Sequence, residues 1–312
     1  MANEYISRVN RVIDYIDKNI GEDLTLDELA GVACFSKYHF HRVFQSITRE
    51  PLYQFILRLR LEKAAVLLLQ ERTRPITAIA FDCGFSDSSI FARNFKTAFG
   101  LSASGWRKAK RDSLAFGTRR PEAHNPSCRI NLASTSSPRP YPFPGKPVVR
   151  IMERSTVPVV YIRHTGPYKG DANLFEDLYR QLFDWAGKMA RPDKGVSETM
   201  VIYHDPPEIT RDDQLRISIC LPVEKDVRGD GKIGRMEIPG GKYALIDFQL
   251  GLDEYQKAWD WVYCDWLPYS GYQPDSRPVF ELYPDQTNAE KGKTLVSISV
   301  PIKPILSISA IL

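Results

Sequence analysis

The stretch "RPVFELYPD", which runs from Arg277 to Asp285, places one carboxylate inside an otherwise apolar segment. Its aromatic and β-branched residues, bounded by prolines, predict a strand, and strand alternation puts Glu281 on the same face as Tyr283. Three roles are open to such a carboxylate. It can face water, it can attract a cation held between aromatic rings, or it can act as a general base once burial has raised its pKa.

Two short segments nearer the start of the chain carry polar groups at helical spacing. In "SKYHFHRVFQ" the apolar side chains of Phe40, Val43 and Phe44 fall on one face of a helix. The opposite face carries Lys37, Tyr38, His41, Arg42 and Gln45. In "SDSSIFARNFK" the outward-facing residues are Ser88, Ser89, Arg93 and Lys96. Side chains of these types read base edges and contact phosphates in the major groove of double-stranded DNA.

Each of these segments forms the second helix of a predicted helix-turn-helix unit. The first helices are related by a repeat, since "LAGVACFS" at Leu29–Ser36 matches "IAFDCGFS" at Ile79–Ser86. In the first unit Thr25, with Glu28 three residues later, predicts a capping box, and Ser36 caps the second helix. In the second unit Gly84 supplies the turn and Ser86 the cap.

The segment "LYQFILRLRLEKAAVLLLQ" between the units predicts one long helix that sets their spacing. The alternative is a helical bundle with a basic exterior that binds no DNA. Two copies of the pattern joined by a long helix favour the DNA-binding interpretation.

The chain divides into three regions by composition and periodicity. Residues 1–110 are helical throughout, residues 111–147 are rich in Pro, Ser and Arg and predict a linker, and residues 148–312 alternate strand and helix patterns. The sequence therefore predicts a multidomain fold, with an all-α N-terminal domain followed by an α+β domain.

The α+β region is itself duplicated. "VIYHD" at Val201–Asp205 matches "ELYPD" at Glu281–Asp285, and "ISICLPV" matches "VSISVPI". Each half reads strand–strand–helix–strand–strand. The counterpart of Glu281 is Val201, so the fold of the repeat does not require a carboxylate there. The same match pairs Tyr203 with Tyr283.

Charge and composition favour a water-soluble, DNA-binding class. The net charge is +4, and residues 1–110 carry 16 Lys and Arg against 12 Asp and Glu, which suits a polyanionic partner. No apolar run spans a bilayer and no secretion signal is recognised, so a cytoplasmic location without membrane contact is expected. The five scattered cysteines form no CxxC pair, which predicts no disulfide framework, and neither a cofactor nor a metal is expected.

Residues 5–110 resemble the DNA-binding domain of AraC/XylS-type transcription regulators. The resemblance rests on "LTLDELAGVACFSKYHFHRVFQ", "RLRLEKAAVLLL", "PITAIAFDCGFSDSSIFARNFKTAFG" and "LSASGWRK". It implies that one group of side chains reads bases: Tyr38, His41 and Arg42 from the first recognition helix, and Ser88, Ser89 and Arg93 from the second. It implies phosphate contacts for Lys37, Gln45 and Lys96. Two positions depart from the family pattern, because Arg49 replaces a usual Gly and Ala103 a usual Pro.

Residues 148–303 resemble the GyrI-like small-molecule-binding domain that Rob-type regulators carry. The resemblance rests on "IRHTGPYKG", "WLPYSGYQ", "RPVFELYPD" and "SISVPI". It implies a ligand cleft between the two duplicated modules, with Glu281 as its polar anchor. The aromatic residues expected around this anchor are Tyr168, Tyr203, Trp259, Trp261 and Tyr283.

Together these patterns predict a sequence-specific DNA-binding transcription regulator that is not an enzyme. Its expected partners are operator DNA, a small amphipathic or cationic effector, and RNA polymerase, and it is expected to bind DNA as a monomer. One alternative is a GyrI-like hydrolase that uses Glu281 as general base on a small electrophile. Another is a protein-binding module whose groove holds a partner peptide.

Overall fold

A computed structural model describes residues 2–71, 73–115, 140–189, 198–207, 209–224, 226–275, 277–284, 287 and 289–304. The chain forms two compact units. The first comprises residues up to Ser113 together with two short later pieces, 208–210 and 228–235, and the second comprises the rest.

The first unit is helical, as predicted. Its described helices are α1 (Ala2–Lys18), α2 (Leu26–Val32), α3 (Lys37–Thr48), α4 (Leu52–Gln70), α5 (Ile76–Asp82), α6 (Ser88–Phe99) and α7 (Ala103–Ala115). Helices α2 and α3 form one helix-turn-helix unit, and α5 and α6 form the other.

Helix α4 belongs to two hydrophobic cores at once. Its first half contributes Leu52, Phe55 and Leu59 to the core beneath α3, where Phe44 packs edge-on against Phe55 at 5.3 Å between ring centroids. Its second half contributes residues to the core beneath α6, among them Leu68. A helix of 19 residues spans about 28 Å, so α4 acts as a rigid spacer between the two units.

The caps at Thr25 and Ser36 are confirmed, but the predicted capping box is only half formed, because Glu28 Oε1 accepts the Tyr15 hydroxyl, and the predicted cap of the second unit is corrected. Thr25 Oγ1 accepts the Glu28 amide at 3.2 Å, and Ser36 Oγ accepts the His39 amide at 3.4 Å. In the second unit the predicted cap at Ser86 is wrong, because Asp87 occupies that position and its Oδ1 accepts the Ser89 amide at 2.5 Å. The second turn is one residue longer than the first, which shifts the cap by one position.

The two recognition helices end in the same left-handed conformation on different residues. Gly100 closes α6 with φ 71°, and Arg49 closes α3 with φ 60°. The family departure at Arg49 therefore keeps the cap geometry, and it costs the strain that a side chain meets in the left-handed region. The other departure is mild, since Ala103 is the first residue of α7 and Ser102 Oγ accepts the Gly105 amide.

The second unit is an α+β domain built on one set of antiparallel pairings, although residues 233–235, at the start of its fifth strand, are grouped with the first unit. Its described strands are β1 (Val148–Arg154), β2 (Val157–Thr165), β3 (Thr199–Tyr203), β4 (Arg216–Pro222), β5 (Ile233–Ile238), β6 (Gly241–Leu250), β7 (Tyr272–Pro274), β8 (Val279–Tyr283) and β9 (Thr294–Pro304). Its helices are α8 (Ala172–Met189) and α9 (Tyr255–Trp261). A π-helical segment (Val262–Trp266) and a 3-10 turn (Leu267–Tyr269) continue α9, and another 3-10 turn covers Asp212–Gln214.

The sheet confirms the predicted duplication and shows how the halves join. Its strand order is β1-β6-β9-β8-β3-β4-β2-β5, with the short β7 added on β9. The equivalent strands of the two halves are β1 and β5, β2 and β6, β3 and β8, and β4 and β9. Swapping each strand with its equivalent gives the same strand order read backwards, so a pseudo-twofold axis passes between β8 and β3. The first strand of each half lies beside the other half, since β1 pairs with β6.

Part of the predicted linker lies outside the described residues. Helix α7 continues to Ala115, residues 116–139 are not described, and the chain is described again from Pro140. The exact domain boundaries stay a prediction.

The structure also bears on the expectations about membrane-spanning segments and disulfides. None of the helices in the described part of the chain is long and apolar enough to cross a membrane. Cys34, Cys83 and Cys220 are free thiols, whereas Cys264 is disulfide-bonded, which the cysteine pattern did not predict.

The left-handed caps give a test of backbone strain. We expect Arg49→Gly to raise the free energy of unfolding by about 0.5–1 kcal/mol, because glycine relieves the strain and loses part of that gain to unfolded-state entropy. The control Gly100→Ala should lower it by about 1 kcal/mol, since an added Cβ meets no atom within 4 Å and only the backbone is penalised. Denaturant titration of both variants measures this, and a destabilised Arg49→Gly protein would contradict it.

Candidate ligand site and nucleic-acid interface

Glu281 lies at the pseudo-twofold axis of the second unit. On the central pair of strands, Glu281 of β8 is directly opposite Val201 of β3. The two positions that the sequence repeat matched are thus neighbours across the axis. Phe280 and Leu282 face the other side of the sheet, where they pack in a separate apolar cluster, as strand alternation predicted.

The Glu281 carboxylate is buried and accepts three hydrogen bonds. Glu281 is only 1% exposed to solvent. The hydroxyls of Tyr203 and Tyr283 both donate to Oε2 at 2.7 Å, and the indole Nε1 of Trp259 donates to Oε1 at 2.7 Å. Because Tyr203 and Tyr283 are repeat equivalents, the two halves contribute matching donors to one oxygen.

Burial and hydrogen bonding act on this carboxyl in opposite directions. Burial raises the pKa of Glu281 above its ordinary value, while the hydrogen bonds from Tyr283, Trp259 and Tyr203 favour the ionised form. The pKa values of Tyr203 and Tyr283 are also raised, first by burial and then by the charge of Glu281. Both tyrosines therefore stay neutral donors at ordinary pH.

Aromatic rings surround this carboxylate, and all but one of the predicted aromatic residues are among them. The Tyr168 ring lies 5.8 Å from that of Tyr203, which in turn meets Trp259 edge-on at 5.9 Å. Trp261 is the exception, because it packs against Phe248 on a different side of α9. Sequence reasoning did not select Tyr255, whose hydroxyl is hydrogen-bonded to that of Tyr283.

The buried carboxylate and the rings around it can together attract a cation. A carboxylate enclosed by electron-rich rings attracts a cation through one charge pair and several cation–π contacts. Use of Glu281 as a general base would need a water molecule beside an oxygen, and both oxygens already accept hydrogen bonds from side chains. Among the described residues, no group of three or more His, Cys, Asp or Glu side chains is placed to hold a metal ion.

The first recognition helix presents its predicted polar face to solvent. Phe40 and Phe44 are fully buried, while His41, Arg42 and Gln45 are exposed. Lys37 is exposed as well, and its Nζ pairs with Asp27 Oδ1 at 2.5 Å. Tyr38 lies in the first turn of α3, and its side chain is outside the described part of the structure.

The second recognition helix repeats this division. Phe91 and Phe95 are buried, Ser88 is half-buried, and Ser89, Arg93 and Lys96 are exposed. Ile90, which sequence reasoning passed over, is 42% exposed on the same helix. Its exposure could have been predicted from the sequence, because Ile90 is three residues before Arg93 and therefore lies on the same helical face. The matching residue of the first helix, His39, is also exposed, and its ring centroid lies 5.1 Å from that of Phe35.

Two family matches cover these two units. Residues 29–109 match a helix-turn-helix domain, and residues 147–303 match the GyrI-like small molecule binding domain. The chain belongs to the AraC/XylS regulators that carry a GyrI-like domain.

Individual relatives match either one unit or the other. The regulatory protein SoxS of Salmonella typhimurium is 33% identical over 99 residues, which cover 32% of this chain and 92% of SoxS. A DNA gyrase inhibitor of Yersinia enterocolitica is 31% identical over 150 residues, which cover 45% of this chain and 88% of that protein. The transcriptional regulator Rob of Salmonella typhimurium is 32% identical over 113 residues, which cover 36% of this chain and 38% of Rob.

Longer relatives are matched over a smaller share of their length. The match covers 40% of the probable transcriptional regulator LumQ of Photobacterium leiognathi. It covers 33% of the transcriptional regulator ArgR of Pseudomonas aeruginosa.

The buried carboxyl predicts a specific dependence of stability on pH. A folded-state pKa above the ordinary value of 4.5 means that the stability contributed by the protonated form is lost as pH rises through the folded pKa. Relative to Glu281→Gln, the wild-type protein should therefore lose free energy of unfolding as pH rises above the ordinary carboxyl pKa of 4.5, at about 1.4 kcal/mol per unit of pKa elevation.

Denaturant titrations across this pH range provide the measurement. Trp259→Phe is the informative companion, since it removes one donor that favours the carboxylate and should move the transition to higher pH. Parallel pH profiles for wild type and Glu281→Gln would show that Glu281 has no raised pKa.

Proposed function

We propose that this chain is a ligand-responsive transcription regulator. Its first unit binds operator DNA through α3 and α6, and its second unit binds a cationic effector at Glu281. The observation that carries the second part is the buried Glu281 carboxylate, held by three donors inside a ring of aromatic side chains. The repeat accepts valine at the equivalent position, so the carboxylate serves a purpose other than folding.

The hydrogen bonding of Glu281 narrows the class of effector. A carboxylate offers about four lone-pair directions, and three donors already use most of them. A cation without N–H groups, such as an aromatic quaternary ammonium, needs no further acceptor and gains charge attraction and cation–π contacts. The half-buried Trp259 and Tyr203 leave ring surface at the edge of the site for such a ligand.

The DNA contacts of the first unit follow from its two exposed helical faces. We assign base reading to Tyr38, His41 and Arg42 in one groove segment and to Ser88, Ser89 and Arg93 in the next. Lys37, Gln45 and Lys96 contact phosphates. Because one chain carries both helices on the spacer α4, a monomer can occupy two groove segments about 34 Å apart. RNA polymerase is the partner that a regulator of this kind would address.

Hydrolysis is the second candidate for the GyrI-like unit. The raised pKa of Glu281, which follows from its burial, is the property that a general base at neutral pH would need. Incubation of the full-length protein with small electrophiles and with cationic amphipathic compounds separates the two, because an electrophile that is consumed identifies an enzyme and a compound that binds unchanged identifies a sensor.

A matched pair of compounds tests the effector class. Benzyltrimethylammonium and its neutral carbon isostere neopentylbenzene have the same shape and differ by one positive charge. We expect the full-length protein to bind the cation at least tenfold more tightly, since about 1.4 kcal/mol of charge attraction suffices for that ratio. Calorimetry or quenching of intrinsic tryptophan fluorescence measures both affinities.

Glu281→Gln is the deciding variant in this experiment. It should lose most of the preference for the cation and keep only the part that comes from cation–π contacts, and its affinity for the cation should no longer rise with pH. Retention of the full preference for the cation in Glu281→Gln would place the effector elsewhere.

Selection from a random DNA pool tests the DNA-binding role. We expect an enriched sequence with two half-sites about one helical turn apart. On that DNA, Arg42→Ala and Arg93→Ala should each weaken binding by about 1–3 kcal/mol and relax base preference in one half-site only. The matched control is Arg180→Ala, which removes an exposed arginine of α8 in the second unit. Failure of the pool to enrich any sequence would reject the role.

A further inference from the structure

The chain enters the second unit through a short aromatic segment. Residues 140–144 read Pro-Tyr-Pro-Phe-Pro, and three residues separate them from the start of β1 at Val148. Each proline fixes its own φ and restricts the residue before it to extended conformations, so the segment is stiff. We call residues 140–144 the aromatic strap.

The two rings of the strap pack onto helix α9 and strand β6. Tyr141 meets Trp261 of α9 edge-on at 5.0 Å between ring centroids, and both strap rings contact Phe248 of β6. Lys257 of α9 places its Nζ 5.3 Å from the centroid of the Phe143 ring. The strap is thus attached to α9 at two points, four residues apart.

These attachment points lie on the side of α9 that faces away from Glu281. Lys257 and Trp261 are four residues apart and share one helical face. Trp259 is two residues from each, so at about 100° per residue it points in nearly the opposite direction. Its indole donates to Glu281 at 2.7 Å. Helix α9 therefore lies between the candidate effector site on one side and the strap on the other.

Among the groups that hold Glu281, Trp259 on α9 is the one that lies outside the sheet. Tyr203 and Tyr283 are on β3 and β8, which pair with each other at the centre of the sheet. Helix α9 has only seven residues and runs into a π-helical segment, where the regular hydrogen-bond pattern changes. Glu281 is 1% exposed, so a ligand that reaches it must displace a neighbour, and Trp259 is half-buried at the edge.

We propose that Tyr141 and Phe143 are positioning residues that couple the effector site to the chain leading to the DNA-binding unit. Displacement of Trp259 by a bound cation shifts α9 and, with it, the two strap rings that pack on the opposite side of the helix. This inference rests on the proposed function, since it requires a ligand at Glu281 and DNA binding by the first unit. It adds the residues through which a ligand at Glu281 alters DNA binding.

Thermodynamic coupling in the full-length protein tests this route. The affinity for the selected DNA is measured by fluorescence polarisation with and without saturating benzyltrimethylammonium. We expect at least a fivefold change in wild type, the lower end of typical allosteric coupling. The double variant Tyr141→Ala/Phe143→Ala should keep each separate affinity within about twofold of wild type and reduce the coupling to below about twofold.

Two further variants distinguish coupling from simple loss of packing. Tyr272→Ala removes a partly buried aromatic side chain from the same apolar cluster without touching the strap, and it should leave the coupling intact. Tyr141→Phe keeps the ring and should also couple as wild type does. Unchanged coupling in the double variant, or equal loss in Tyr272→Ala, overturns the proposal.

The proposed function fails in a different way. If wild type binds no cation, or enriches no DNA, the individual titrations show this before any coupling is measured. If wild type binds both without coupling, the proposed ligand and DNA sites stand and the strap has no regulatory role.

Discussion

The second unit is organised around one constraint, which is that a buried carboxylate must be surrounded by hydrogen-bond donors. Burial of an ionised group without partners costs far more than a domain of this size can tolerate. Glu281 meets the requirement with one donor from β3, one from its own strand β8 and one from α9. Each of these elements must be in place for the others to be stable, so the site depends on both halves of the duplicated fold.

The pseudo-twofold axis explains why only one half carries the carboxylate. Glu281 and Val201 are directly opposite each other on adjacent antiparallel strands. Side chains at such positions lie about 4.5–5.5 Å apart, and two like charges there would repel each other in a buried environment. Valine on one side removes this repulsion, and the tyrosines of both halves can then converge on a single carboxylate oxygen. The close approach of equivalent positions at the pseudo-twofold axis therefore explains why a symmetric fold carries a site with only one carboxylate.

The DNA-binding unit shows the same dependence of a surface on what lies beneath it. The exposed faces of α3 and α6 are set by buried phenylalanines, and α4 joins the two cores through its two halves. Asp87 and Ser36 cap the recognition helices at positions that differ by one residue between the repeats. The spacing of the two reading faces is thus a property of the apolar core, and the polar residues only decide what is read.

The sequence by itself determined the architecture, because periodicity and repeats are local properties. Helical spacing located both recognition helices, the internal match predicted the strand–strand–helix–strand–strand halves, and the resemblance directed attention to Glu281. It could not place the cap of α6, since a one-residue difference in turn length is invisible to a repeat match that shifts between 50 and 51 residues. Nor could it separate Trp259 from Trp261, which are both aromatic and only two positions apart. Only the tertiary structure decided that Trp259 donates a hydrogen bond to Glu281 while Trp261 packs against Tyr141. The reason is that the direction of a side chain depends on how its helix is rotated against the sheet.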